Sequence, residues 1–160
     1  MITTILLLFA LADPAGCPLH AQHMAAVDVR GDEAMGFSHH TSAHHFPLFA
    51  DGGAIVATAN DAADAKTVAA IRTHLRDVAT AFAAGDFTKP QFIHDQKPDG
   101  VEAMQKLRDR IEYQYEELPA GARVRIRTAD ARALEAVHRF LRFQIEEHRT
   151  GDALKVVEDR

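Results

Sequence analysis

Two stretches of the chain repeat one pattern of apolar and polar positions. Ile111, Tyr113 and Tyr115 alternate with Glu112, Gln114 and Glu116; after Pro119-Ala120-Gly121, Val124 and Ile126 alternate with Arg123, Arg125 and Arg127. Period two on both arms predicts a β-hairpin with one wet face. A helical period follows, with Leu134, Val137, Leu141, Ile145 and His148 on one stripe. The earlier stretch has the same order. Residues 44–49 and 54–59 flank Asp51-Gly52, a hairpin signal, and Val68, Ile71, Leu75, Val78, Ala79 and Phe82 form the stripe.

The two stretches, 51–87 and 119–153, align weakly per residue but consistently along their length, and both end in Gly-Asp. This reads as a duplicated β-β-α unit. The expected fold is α+β: a two-layer sandwich with a four-stranded antiparallel sheet and two main helices on one face. Repeat one covers about 43–87, a connector 88–110 and repeat two about 111–153, all within one domain, 33–153, followed by a tail, 154–160. The connector is expected to hold an extended piece, KPQFIHDQKP, and a short extra helix near Val101, Met104 and Leu107. Asn60 or Asp61, and Thr128 or Asp130, are the candidate N-caps, and Gly85 and Gly151 the left-handed C-caps. Residues 22–32 and the tail beyond Gly151 are expected to be mobile.

The first residues follow another logic. Residues 5–12 read ILLLFALA, too short to span a bilayer and of the length of a signal-peptide core. No basic residue precedes them. Residues 1–21 are therefore expected to be a signal peptide, with export to the periplasm or outside the cell and no integral membrane segment in the mature chain. Cleavage near Ala21 competes with lipid attachment at Cys17, since Ala15-Gly16-Cys17 resembles the end of a lipoprotein box. Retention in the cytosol is the remaining alternative.

Composition narrows the chemistry. The chain has 160 residues, with 18 basic and 23 acidic side chains and a net charge of −5. That length fits one domain, and the mild acidity argues against nucleic-acid binding. A single cysteine excludes a disulfide framework and any multi-cysteine metal motif. The ten histidines are the surplus. Imidazole titrates near neutrality and ligates transition metals.

Position divides those ten. His44 and His45 open the first strand, so they point to opposite faces of the sheet. His39 and His40 precede it in a polar segment and read as exposed decoration. His148 lies in an apolar stripe, roughly where Phe82 lies in the first copy; either backbone partners or a ligand role explains it there. His138 is at that stripe's edge and His74 at the border of its own. His94 sits in the connector beside Asp95, which can orient an imidazole. A site is expected from His44 or His45, His94 and His148, with Met35 as a soft ligand. Histidine with methionine and no cysteine suits copper, with zinc or nickel as alternatives. No HExxH, Gly-x-Ser-x-Gly elbow or phosphate loop is present.

The segments MGF and HHF, DGGAI, AAGDF, FIHD and FLRFQIEEHRTGD together resemble a little-characterised family of small exported bacterial His-rich proteins. The resemblance runs from Met35 to Asp152. It implies candidate positions rather than a reaction: residues matching His44, His45, His74, His94, His138 and His148 recur in that family's pattern. Members are sometimes labelled aspartate carbamoyltransferase. This chain contradicts the label, being too short and lacking the Ser-Thr-Arg-Thr phosphate-binding motif.

The functional expectation is an exported metal-binding protein, copper preferred, acting as carrier, buffer or sensor. A non-catalytic interaction protein forming homodimers is the alternative. A metal-dependent enzyme using His94 or Asp95 in acid–base work comes third.

Overall fold

Strands β3 (Gly52–Ala59) and β5 (Gly121–Arg127) pair antiparallel along their whole lengths and join the two repeats into one sheet. The computed structural model describes residues 18–159. On the outer edge of β5 lies β4 (Glu112–Leu118); along the other edge of β3 lie β1 (Ser42–His45) and β2 (Leu48–Phe49). The expected first strand is thus split in two at Phe46-Pro47, where proline cannot donate to the ladder. All pairs are antiparallel.

Helices α2 (Ala65–Ala83) and α5 (Ala131–Glu147) cover one face of this sheet. The result is the α+β sandwich that the periodicities predict, with β1, β2, β3 and α2 from one repeat and β4, β5 and α5 from the other. Ile55 and Ala57 of β3 and Ala122, Val124 and Ile126 of β5 point into the layer between sheet and helices. All six residues of the α2 stripe are buried there. The α5 stripe is broader than its sequence signal. Ala133, Ala136, Phe140 and Gln144 join Val137, Leu141 and Ile145, whereas Leu134 is only partly covered. Phe140 closes an aromatic cluster with Phe82 at 5.7 Å and Phe87 at 5.9 Å. Truncating an aromatic in such a position costs about 3–5 kcal/mol.

Helix boundaries follow capping chemistry, with two substitutions of residue. Asp64 caps α2, accepting from the Thr67 N–H at 3.0 Å; Asn60 and Asp61 stabilise the preceding turn instead. Asp130 caps α5 through the Arg132 and Ala133 N–H groups. Gly85 is the left-handed residue after α2, with a φ of 79°. After α5 that place falls to Arg149, with a φ of 52°, and not to Gly151. The Thr150 N–H then reaches the Ile145 carbonyl at 3.2 Å, closing the same end motif. Arg149 also grips Asp28 at 2.7 Å, an ion pair that accompanies the strained backbone.

Three segments depart from expectation. Residues 22–32 lie within helix α1 (Pro18–Met35), which buries Met24, Val27, Gly31 and Met35 and packs on α3 and α2. The proposed signal core and Cys17 lie outside the described residues; residues 18–21 form the first turn of α1. The connector piece expected to be extended is helix α3 (Thr88–His94), with Pro90 in its first turn, where a missing N–H does no harm. The short helix beyond it is α4 (Val101–Lys106), followed by one 3-10 turn, Arg108–Arg110. The tail after Gly151 is held. The Val157 N–H donates to the Leu48 carbonyl at 2.8 Å, and Asp159 reaches Arg125 Nε at 2.8 Å. That tail helps cover the sheet's outer face. Arg125, on the face that the alternation marks as wet, is only 2% exposed, with its guanidinium 4.6 Å from the Phe49 ring and paired with Asp51 and Asp159. Its neighbours on β5 pair with side chains of β4, Arg123 with Glu116 and Arg127 with Gln114. Among the described residues, no helix is long and apolar enough to cross a membrane.

Gly100 docks the connector on α5. Its φ is 82°, and a Cβ there would stand 2.2 Å from the Ala136 carbonyl oxygen. Gly36 has a similar φ of 77° but nothing within 4 Å. Gly100→Ala is expected to lose about 2 kcal/mol or more in denaturant unfolding, because backbone must move as well as twist. Gly36→Ala, which adds only the left-handed penalty, is expected to lose about 1–2 kcal/mol. Equal losses would mean the Ala136 contact contributes nothing.

Candidate functional site

Strand alternation decides the fate of the His44-His45 pair. His44 stands opposite Ala57, a helix-facing residue, and His45 opposite Val56, on the outer face. His45 is exposed there, and its Nδ1–H donates to Asp152 at 2.9 Å. His45 is therefore removed from the expected ligand set. His44 enters the layer between sheet and helices, where its Nε2 is buried with no hydrogen-bond partner among the described residues.

A cleft of about 50 Å³ opens beside it, lined by Met35, His44, Phe46, Ile55, His74, Val78, Lys89, Pro90, Ile93, Gln144 and His148. Five elements supply its heteroatom-bearing members: Met35 ends α1, His44 is on β1, His74 on α2 and Lys89 on α3, while Gln144 lies on α5 and His148 caps that helix. His148 stacks on His44 with ring centroids 5.9 Å apart and planes 17° from parallel. Phe37 bridges the other side, 5.8 Å from His44 and 5.7 Å from His74. His74 Nδ1 lies 3.5 Å from Lys89 Nζ.

His94 is the third expected ligand, and its position differs from expectation. It is completely buried and meets His148 edge to face at 5.0 Å, but it does not line the cleft. Its Nε2 lies 3.2 Å from Gln144 Oε1. Its Nδ1 is 3.3 Å from the Glu147 carboxylate, at ion-pair distance though out of line for a hydrogen bond. Glu147 is in turn held by His23 of α1 at 2.9 Å. His94 supports His148 from behind. Asp95 is exposed at the end of α3 and does not line the cleft either, so the acid–base pair envisaged for an enzyme does not face it.

The remaining histidines are accounted for by packing. His138 Nε2–H donates to the Phe49 and Gly52 carbonyls, each at 2.9 Å, pinning the β2–β3 turn to α5. His39, read as decoration, accepts a more defined place: its backbone N–H and ring Nδ1–H both reach Asp32 of α1. His40 stays exposed.

Burial sets the protonation of the cleft. Desolvation, assisted by the nearby His45 charge, lowers the His44 pKa to about 4. Desolvation, with Lys89 and His44 adding to it, lowers His74 to about 3. His148 is pushed well below its ordinary value by burial first, then by His44, His94, Arg149 and His74. His94 is lowered by burial, against the pull of Gln144 and Glu147. At neutral pH all four imidazoles are uncharged, the form that ligates metals, and the His74 Nδ1 lone pair faces the Lys89 ammonium at 3.5 Å.

Metal geometry, however, is not preset. Among the described residues, no group of three or more His, Cys, Asp or Glu side chains is arranged to hold a metal ion. The physical reason lies in the stacking. An imidazole lone pair lies in the ring plane, and near-parallel stacked rings aim their lone pairs past one another. Chelation needs the His44 and His148 rings to turn.

Sequence reading missed His74, Gln144 and Lys89 as cleft residues. A signal for His74 was present: it lies three residues after Ile71 and four before Val78, on the flank of the α2 stripe. Gln144 and Lys89 gave none, because the packing of α3 against the body defines their surroundings. No family model, curated protein or solved structure matches the chain.

The depressed pKa values make acid destabilising. Between the folded value of about 4 and the ordinary 6.5, the unfolded chain binds a proton at His44 that the folded chain does not. Stability is therefore full above pH 6.5 and falls as pH drops toward 4. In chelator-treated protein the melting temperature is expected to be level above that window and to fall within it. His44→Phe, which removes one such group, is expected to make the slope shallower. An unchanged slope in the variant would rule out buried neutral His44 as a source of it.

Proposed function

We propose that this chain is an exported metal-binding protein, with copper its preferred ion, acting as a carrier, buffer or sensor. The ligands are revised to His44, His74 and His148, with Met35 as a soft fourth donor. One observation carries the reading: three imidazoles from three separate elements border one cleft, and His44 brings a buried, unpartnered Nε2 to it. An unsatisfied buried nitrogen destabilises the fold by about 1–3 kcal/mol, and a ligand removes that penalty. Neutral imidazoles and a thioether are a nitrogen and sulfur donor set that suits copper, with zinc or nickel next. Ring rotation within the cleft brings the donors together, so loading orders the site. Export rests on the apolar run at residues 5–12 and the small residues after it.

A second reading is supported by the stacking itself. The four rings, with Phe37 and Phe46, pack as an aromatic layer that needs no ion. The protein is then a non-catalytic interaction module, with homodimer formation the expected behaviour.

Copper titration of untagged, chelator-treated protein separates the two. One equivalent is expected to bind at sub-micromolar Kd and to raise the melting temperature. His44→Ala combined with His148→Ala is expected to weaken that binding at least a hundredfold. Binding unchanged in the double variant would overturn the ligand assignment. Absence of binding, with elution as a dimer, would favour the interaction module.

A further inference from the structure

We infer that the cleft selects a monovalent soft ion, cuprous copper or its surrogate silver, over divalent ions, and that Lys89 enforces this choice. The inference rests on the metal-binding reading above and concerns the charge the site accepts.

The lining contains no carboxylate. Its polar members are three imidazoles, the Gln144 amide and the Lys89 ammonium, with the Met35 thioether beside them. Lys89 Nζ stands 3.5 Å from His74 Nδ1, inside the same donor set. The nearby acids are committed or lie elsewhere. Glu147 sits behind His94 and is shared with His23. Asp152 binds His45 and the Phe46 N–H on the other side of the strand. Glu33 and Asp77 line the adjoining surface groove, which also reaches Met35, His74 and Lys89. Both are exposed, and water and salt screen them. Arg149, directly after His148, is balanced by its ion pair with Asp28 and leaves Lys89 as the cation of the lining.

A carboxylate behind a ligating imidazole raises its basicity and favours a divalent ion, and none stands behind the imidazoles of this lining. Here a divalent ion would meet a neutral donor set and an ammonium, and its repulsion from that ammonium is twice that of a monovalent ion. A monovalent ion meets half the repulsion. It is also the ion that a thioether with a few imidazoles holds well at low coordination number. Apolar Phe46, Ile55, Val78, Pro90 and Ile93 complete the walls and leave little room for the water shell that divalent ions keep.

The test uses the full chain, untagged and under anaerobic conditions. The probes are silver(I), copper(I) in competition with a colorimetric chelator, zinc(II) and nickel(II). Only the binding that His148→Ala removes is counted, which discounts surface binding at His39 and His40. Wild type is expected to hold copper(I) and silver(I) at least a hundredfold more tightly than zinc(II) or nickel(II). Lys89→Glu is expected to narrow that ratio at least tenfold by improving the divalent affinities, and Lys89→Met to narrow it less. Lys89 is partly exposed, and the melting temperature of each variant verifies folding. Comparable affinities for zinc(II) and silver(I) in wild type would overturn charge selection while leaving metal binding intact. A ratio unmoved by both variants would overturn the role of Lys89. No site-specific binding of any of the four ions would overturn the metal reading and this inference with it.

Discussion

The pairing of β3 with β5 is the interaction on which the rest depends. Seven residue pairs, from Gly52↔Arg127 to Thr58↔Gly121, lock the two repeats in one register. Register in a sheet also assigns faces, since a slip of one residue turns every side chain over. Because β1 hangs on the far edge of β3, that register sends His44 inward and His45 outward. The same pairing sets Ala57 against Ala122, small residues that leave room for the two helices to lie close to the sheet. A bulky pair there would lift α2, and with it His74, away from β1.

The two hairpins and two long helices were legible because each carries a period of its own. All six positions of the α2 stripe are buried, with His74 buried on its flank. Other features lacked a periodic signal. Helix α1 buries residues spaced three or four apart, but two are methionine and one is glycine, so its stripe is faint. Helix α3 was hidden by Pro90, which marks a helix start as readily as a break. The left-handed turn at Arg149 could not be read from residue type, since a nearby glycine seemed the better candidate. The strap over Arg125 depends on contacts between residues far apart in the chain.

Candidate-site residues show the same division. Helix phase singled out His148, whereas strand phase separated His44 from His45 without saying which faces inward; that took the register on β3. His94 was singled out for its neighbours, yet the fold of α3 turns it behind His148 rather than into the cleft. His74 fell on a stripe border, where periodicity does not discriminate. Histidine in a core also has two uses that the coordinates combine. Its ring packs like a small aromatic, as the stacks with Phe37 and Phe46 show. Its nitrogens need partners that phenylalanine would not. Both Gln144 Nε2 and His44 Nε2 are left without one among the described residues. A core built only for packing would favour side chains that leave no such atoms.

The end of the chain clasps β1 from both sides, with His148 against His44 beneath and Asp152 against His45 above. His45 and Asp152 are 107 residues apart in sequence. During synthesis, then, the first half of the site emerges long before the last. Until the final turn of α5 has been made and has folded, His44 has no His148 to lie against. The inner wall of the cleft is completed only by the last turn of α5, and a chain ending before Gln144 would lack both Gln144 and His148.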